Sequence, residues 1–227
     1  MKMKMDYAYL TDTVATLATL CSILQLSIGI TICKQIVQKG SSSDVQFFPF
    51  LAMFSSCSVW LKYGFLKEDT ALIVVNIFGM CLQFCYMTVY YSYTNQKSSL
   101  HRQMLIGVLA IFPILMHIRS LTDPELAKRR LGLYCCSMSV VSYGSPLSSV
   151  SEVIRTKNSG VMSFPLVIAN VIVGVEWSLY GVLRQDRFLQ VPNMIGTVLG
   201  FLQLLLFFRF PMKRARVIHK PGSLQNV

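Results

Sequence analysis

Four side chains in this sequence have the types and the spacing to hold a small polar molecule inside an apolar setting: Asn76, Asn193, Trp60 and Trp177. A carboxamide left unpaired in hydrocarbon costs free energy, so each asparagine needs a partner. A ligand hydroxyl is one candidate, and a polar group on a neighbouring helix is the other. Each indole offers a flat apolar face to the C–H surface of a ring and an N–H at its edge. This is recognition chemistry, not bond-making chemistry. The chain shows no Gly-rich nucleotide loop, no metal-ligand spacing and no nucleophile constellation, so no cofactor and no metal are expected.

The four residues belong to one pattern written twice. Trp60, Tyr63, Gly64, Leu66, Asp69, Asn76, Gly79 and Leu82 recur without a gap, 117 residues later, as Trp177, Tyr180, Gly181, Leu183, Asp186, Asn193, Gly196 and Leu199, and Lys67 recurs as Arg184. Each tryptophan precedes its asparagine by 16 residues and lies about six residues before a charged turn, roughly 9 Å below a helix end at 1.5 Å per residue. That depth argues against a simple interfacial aromatic belt. Two asparagines at equivalent positions of two parallel halves would face each other across a pseudo-twofold axis, which points to a pathway between the halves.

The elements that must position these residues are membrane helices. Of 227 residues, 53% are hydrophobic and 14% charged, and the mean hydropathy is +0.53, outside the soluble globular range. Spanning a bilayer takes roughly 20 apolar residues, and the sequence predicts seven spans near Asp12 to Cys33, Val45 to Leu66, Thr70 to Tyr93, Met104 to Leu121, Leu131 to Val153, Val161 to Leu183 and Phe188 to Phe210. Connections are short and polar, leaving no extramembrane domain. The seven cysteines fall in apolar segments without CxxC spacing and read as small core residues. The first apolar run lacks a clear cleavage site and is expected to stay in the protein. The net charge of +11 is spread over every loop without a basic face alternating with aromatics, so headgroups of the lipid bilayer, and not nucleic acid, are its expected partners.

An odd fourth span has a topological purpose. Three-helix units cross the membrane an odd number of times, so one extra crossing makes the two units parallel. The expected architecture is therefore all-α, with a first three-helix repeat over residues 1–96, a linker helix over 97–129, a second three-helix repeat over 130–211 and a basic tail over 212–227. The linker carries Pro113, with His101, Arg102, Gln103 and His117 to Ser120 crowding its ends as befits a peripheral connector. Arg209, Lys213, Arg214, Arg216 and Lys220 cluster after the last span, which places the C-terminus in the cytosol.

With these elements in order, the chain resembles the SWEET (MtN3/saliva) sugar transporters of the animal type. The likeness rests on Phe48, Pro49 and Phe50, the Trp60 to Leu82 segment, Ser145 to Leu147, Val153 to Lys157, and Trp177 to Gln203. The resemblance implies seven helices as two parallel three-helix bundles joined by a linker (3+1+3). It implies that Asn76, Asn193, Trp60, Trp177 and Ser56 line a sugar site, that Tyr63, Lys67, Tyr180 and Asp186 form an outer gate, and that prolines in four helices form an inner gate or hinge. This chain supplies three of those, Pro49, Pro146 and Pro165, and the first helix has Gly29 or Ile30 at the matching place.

The function expected is bidirectional, facilitative transport of neutral mono- or disaccharides, glucose first among them, by alternating access. A proton-coupled exporter of amino acids or other solutes is the alternative, and a seven-helix receptor a more distant one. The exporter would want a Pro-Gln pair, which does not occur; the receptor is disfavoured by the repeat, the short loops and the lack of an Asn-x-Ser/Thr acceptor. Glu176 and Lys62 sit at similar depth and are expected to pair across the outer vestibule; a proton site at Glu176 is the rival reading. The plasma membrane is the expected location, with the Golgi or another endomembrane as alternatives. A homo-oligomer would cover the outer faces rich in Phe, Leu and Met, as lipid would.

Overall fold

The computed structural model describes residues 2–212, with side chains from Met5 onward. The basic tail expected over 212–227 lies, from residue 213 onward, outside the described residues. Among the described residues nine α-helices follow in chain order: α1 (Lys2–Leu26), α2 (Gly29–Lys39), α3 (Phe48–Lys67), α4 (Thr70–Ser92), α5 (Lys97–Ser120), α6 (Pro124–Ser142), α7 (Gly144–Thr156), α8 (Phe164–Leu183) and α9 (Arg187–Arg209), with a short 3₁₀ turn at Ser159–Val161. The α1/α2 and α6/α7 pairs are each one broken span, which gives seven membrane crossings. By length and composition five spans can cross a bilayer unaided, the continuous run Met5–Lys39 among them; α3 and the broken α6/α7 complete the set.

The two breaks have different causes. At α6/α7 the hinge follows from Pro146, which removes the hydrogen bond that would return to Ser142 and clashes with that carbonyl; Tyr143 N instead donates to Val140 O at 3.1 Å. At α1/α2 there is no proline. Ser27 Oγ donates to Ile23 O at 2.8 Å, a back-bond that bends helices, and the next turns tighten to i→i−3 bonds, Ile28 N to Gln25 O and Ile30 N to Ser27 O. Gly29 lies under the Tyr86 ring, so close that an added Cβ would fall 2.3 Å from the ring edge. The ring's hydroxyl donates to Leu26 O at 3.1 Å, taking up a carbonyl freed by the break.

The principal contacts arrange six spans in a closed ring. α4 packs between α1 and α3, α9 packs between α6 and α8, and the two bundles meet where α1 touches α8 and α3 touches α6. Each of these contacts has its counterpart in the other half. α5 lies outside the ring against α3 and α6. The repeat also reaches the backbone. Left-handed residues close helices at Gly40 and Lys157 and at Glu68 and Gln185, two pairs each separated by the same 117 positions.

Candidate functional site

One end of the ring is sealed by two crossed polar clusters. Asp69 caps α4 by accepting from Leu72 N at 3.1 Å, and Asp186 caps α9 by accepting from Phe188 N at 3.0 Å, as N-terminal aspartates do. Each cap carboxylate also reaches the other half. Tyr63 Oη donates to Asp186 at 2.8 Å, with Lys67 Nζ 3.3 Å from the same carboxylate. Tyr180 Oη donates to Asp69 at 2.8 Å, with Arg184 Nε 3.5 Å away. Both tyrosines and both aspartates are buried. Tyr63, Lys67 and Asp186 thus come together as one cluster, while Tyr180 is partnered by Asp69 and Arg184. The 117-residue offset already paired these last two with Asp186 and Lys67.

Below this seal, Trp60 and Trp177 pack edge-on against Tyr63 and Tyr180, with ring centroids 5.7 and 5.6 Å apart. Both are buried in the central apolar cluster with Leu131 and Cys135. Trp177 Nε1 donates to Ser22 Oγ at 2.8 Å. Asn76 Nδ2 donates to Leu72 O at 2.8 Å and Asn193 Nδ2 to Leu189 O at 2.7 Å. Because a carbonyl can only accept, these bonds fix the amide orientation. Each asparagine thus gives one of its two N–H donors to its own helix.

A cavity of about 510 Å³ opens at the opposite end of the ring. Asn193 lines it, about two turns into α9 from the Asp186 cap at 3.6 residues per turn, whereas Asn76, Ser56, Trp60 and Trp177 lie outside its lining, nearer the sealed end. Pro49 and Pro146 border the cavity and Pro165 does not. Pro49 and Pro165 occupy the first turns of α3 and α8, where a missing N–H costs nothing, so of the three prolines Pro146 alone stands beside a helix break.

Besides Asn193, the cavity shows polar residues that the repeat could not reveal. Gln25, Gln83, Asn170, Asn193 and Gln203 contribute carboxamides and Ser142, Tyr86 and Tyr143 hydroxyls, and among the described residues no charged side chain enters the lining. Gln25 of α1 and Asn170 of α8 hydrogen-bond to one another across the junction of the halves. Gln203 Nε2 donates to Pro146 O at 3.5 Å, and Tyr143 Oη donates to Pro192 O. Gln83 is buried, and among the described residues its Oε1 has no hydrogen-bond partner. Gln25 and Asn170 were not legible as a pair because their counterparts at the repeat offset are Ser142 and Met53.

The expected Lys62–Glu176 pair is not formed; among the described residues no ion pair includes either side chain. Lys62 is on α3 and Glu176 on α8, and those helices have no principal contact with each other. Glu176 instead lies near Cys21 of α1, and among the described residues its buried Oε2 has no hydrogen-bond partner. The equivalent residue of the first repeat is Val59, fully buried.

Comparison with known proteins adds to this geometry. A family model described as "Sugar efflux transporter for intercellular exchange" matches residues 12–98 and again 129–215. The chain is 36% identical over 202 residues to Sugar transporter SWEET1 of Drosophila pseudoobscura pseudoobscura, covering 88% of this chain and 89% of that protein. It is 35% identical over 196 residues to Sugar transporter SWEET1 of Homo sapiens, covering 84% and 86%. A solved eukaryotic SWEET transporter superposes with a TM-score of 0.83 at 21% identity, over 90% of this chain and 98% of that one, and shares the seven-helix 3+1+3 fold. Doubled in sequence, closed in a ring and matched twice by the same family model, this multi-pass membrane chain belongs to the SWEET family of sugar transporters.

Proposed function

We propose that the protein is a uniporter that carries neutral sugars of hexose size, glucose foremost, in both directions by alternating access. The observation that carries this reading is the cavity: amides and hydroxyls on an apolar wall, without a charge, beneath a seal built from both halves. Anionic or cationic solutes would need a counter-charge that the lining does not provide, whereas a polyol can exchange hydroxyl hydrogen bonds with carboxamides. The volume lies in the ordinary small-molecule range of roughly 300–1,000 Å³. Asn193, Asn76, Trp60, Trp177 and Ser56 are the proposed sugar contacts, reached as the sugar moves from the open cavity toward the tryptophans. Tyr63, Lys67, Tyr180 and Asp186 are the proposed outer gate, closed here through the two clusters that Asp69 and Arg184 complete, and Pro49, Pro146 and Pro165 are the proposed inner gate or hinge. We place the sealed end outward and the C-terminus in the cytosol, with the protein in the plasma membrane.

Binding should be weak. A dissociation constant of about 1 mM corresponds to about −4 kcal/mol, which a few net hydrogen bonds of roughly 1 kcal/mol each supply. The test is radiolabelled glucose flux in proteoliposomes, in both directions, with and without a proton gradient, comparing the wild type with Asn76→Ala and Asn193→Ala. Gradient-independent flux lost in both variants supports uniport through this site. Flux that survives both discards the asparagines as sugar contacts.

Glu176 favours a second reading, coupling to protons, because a carboxyl oxygen without a partner at the α1/α8 junction lies where the halves must shift. Under it, Glu176→Gln flattens the pH profile of transport; an unchanged profile removes the proton from the mechanism.

A further inference from the structure

The linker helix α5 touches the ring loosely. Its buried residues are Leu100 and Ile118, one near each end, with a close approach between them where Gly107 meets Leu51. Around that point α5 stands off from α3 and α4 and leaves an apolar cavity of about 470 Å³. Two of the hydroxyls along its wall are bonded within their own helices, Ser58 Oγ donating to Phe54 O at 2.8 Å and Thr88 Oγ1 to Phe84 O at 2.9 Å, while Ser55 and Tyr91 supply the others. The groove runs from Leu100 to Leu115, 15 residues or about 22 Å at 1.5 Å per residue, longer than one hydrocarbon leaflet of about 15 Å.

One end of the groove is cationic. Tyr91 lines the mouth, Lys97 Nζ lies 5.1 Å from its ring centroid, and the His101 ring lies 5.8 Å from it. Arg102 follows, and α5 carries no acidic residue along its whole length. By the number of crossings this mouth is on the same face as the end of α9, which the proposed orientation puts in the cytosol, where the anionic lipids are.

We propose that this groove is a binding site for one anionic glycerophospholipid, with an acyl chain between α5 and the α3/α4 pair and the phosphate at Lys97 and His101. The lipid fills the space that the ring and its linker leave between them. An acyl chain fits a narrow apolar trough, and the cations at one mouth select the headgroup.

The test is native mass spectrometry of the full chain in detergent with equimolar phosphatidylserine and phosphatidylcholine. The wild type should retain one phosphatidylserine in preference to phosphatidylcholine. Lys97→Gln should lower that preference about fivefold, the share of one lysine near a lipid surface, and Lys97→Gln/His101→Gln should lower it further. Val108→Trp, from an exposed position on the groove wall, should reduce retention of both lipids. Equal retention of the two lipids by the wild type overturns the proposal. So does phosphatidylserine binding unchanged in the charge variants, which are exposed and do not threaten folding. A shift in oligomeric state on Val108→Trp with lipid binding intact would assign the groove to a second copy of the chain.

Discussion

Asp186 shows how much one side chain is asked to do. Its carboxylate caps α9, accepts from Tyr63 and neutralises Lys67, and Asp69 repeats all three tasks with Leu72, Tyr180 and Arg184. A hydrogen bond to a charged group contributes about 1.5–3 kcal/mol, and a lost cap costs about 1 kcal/mol. Tyr63→Phe therefore weakens the sealed end without unfolding α9, whereas Asp186→Ala does both. Thermal unfolding of purified protein should show Asp186→Ala as the larger loss, and a Tyr63→Phe/Asp186→Asn double-mutant cycle should be strongly non-additive. Additive losses would mean the bond is not made. The partly exposed ion-pair partners Lys67 and Arg184 should matter less, since half-solvated pairs contribute about 0–1 kcal/mol. At this scale the sequence was legible only where the repeat spoke. It displayed Asp69 beside Asp186, yet it could not say that each tyrosine crosses to the other half's aspartate. Nor could it show Gln25 with Asn170, whose counterparts at the repeat offset are Ser142 and Met53.

Helix breaks mark the point where sequence reading fails at the level of elements. Long apolar stretches and charged turns announced the spans, and Pro146 announced one hinge. The hinge between α1 and α2 has no proline and depends on contacts: a back-bonding Ser27 and a glycine overlaid by a ring from α4. At the repeat offset Gly29 corresponds to Pro146 and Tyr86 to Gln203, and each of the latter two bonds a carbonyl at its hinge, Leu26 O and Pro146 O. The two halves thus solve one problem with different pairs. Gly29→Pro alone should drive the ring of Tyr86 away and destabilise the protein by about 1–3 kcal/mol, the usual cost of overpacking. Gly29→Pro/Tyr86→Gln, which writes the second half's pair into the first, should recover folding and flux. Size-exclusion profiles and melting temperatures of the two variants decide it; a double variant no better than the single would show that the pairs are not interchangeable.

Six spans in a ring, closed at one end and open at the other, make an asymmetric molecule from a nearly symmetric sequence. The ring contacts come in equivalent pairs, so nothing in the helix packing favours one end; the bias lies in the crossed aspartate clusters that hold the sealed end shut. Loosening them should let the ring open where it is now closed and close where it is now open. Asn170→Cys reports on this, because Asn170 lines the open cavity. In liposomes of known orientation, a membrane-impermeant thiol reagent should label that cysteine from the face carrying the end of α9 and protect it from the other. Adding Tyr63→Phe and Tyr180→Phe removes two charge-assisted bonds of about 2 kcal/mol each, enough to shift the equilibrium by roughly three decades, since 1.4 kcal/mol is tenfold. Labelling should then fall on the first face and rise on the second. Labelling lost on the first face without a gain on the second would indicate an occluded ring. An unchanged pattern would mean that the aspartate clusters do not set the balance between the two ends.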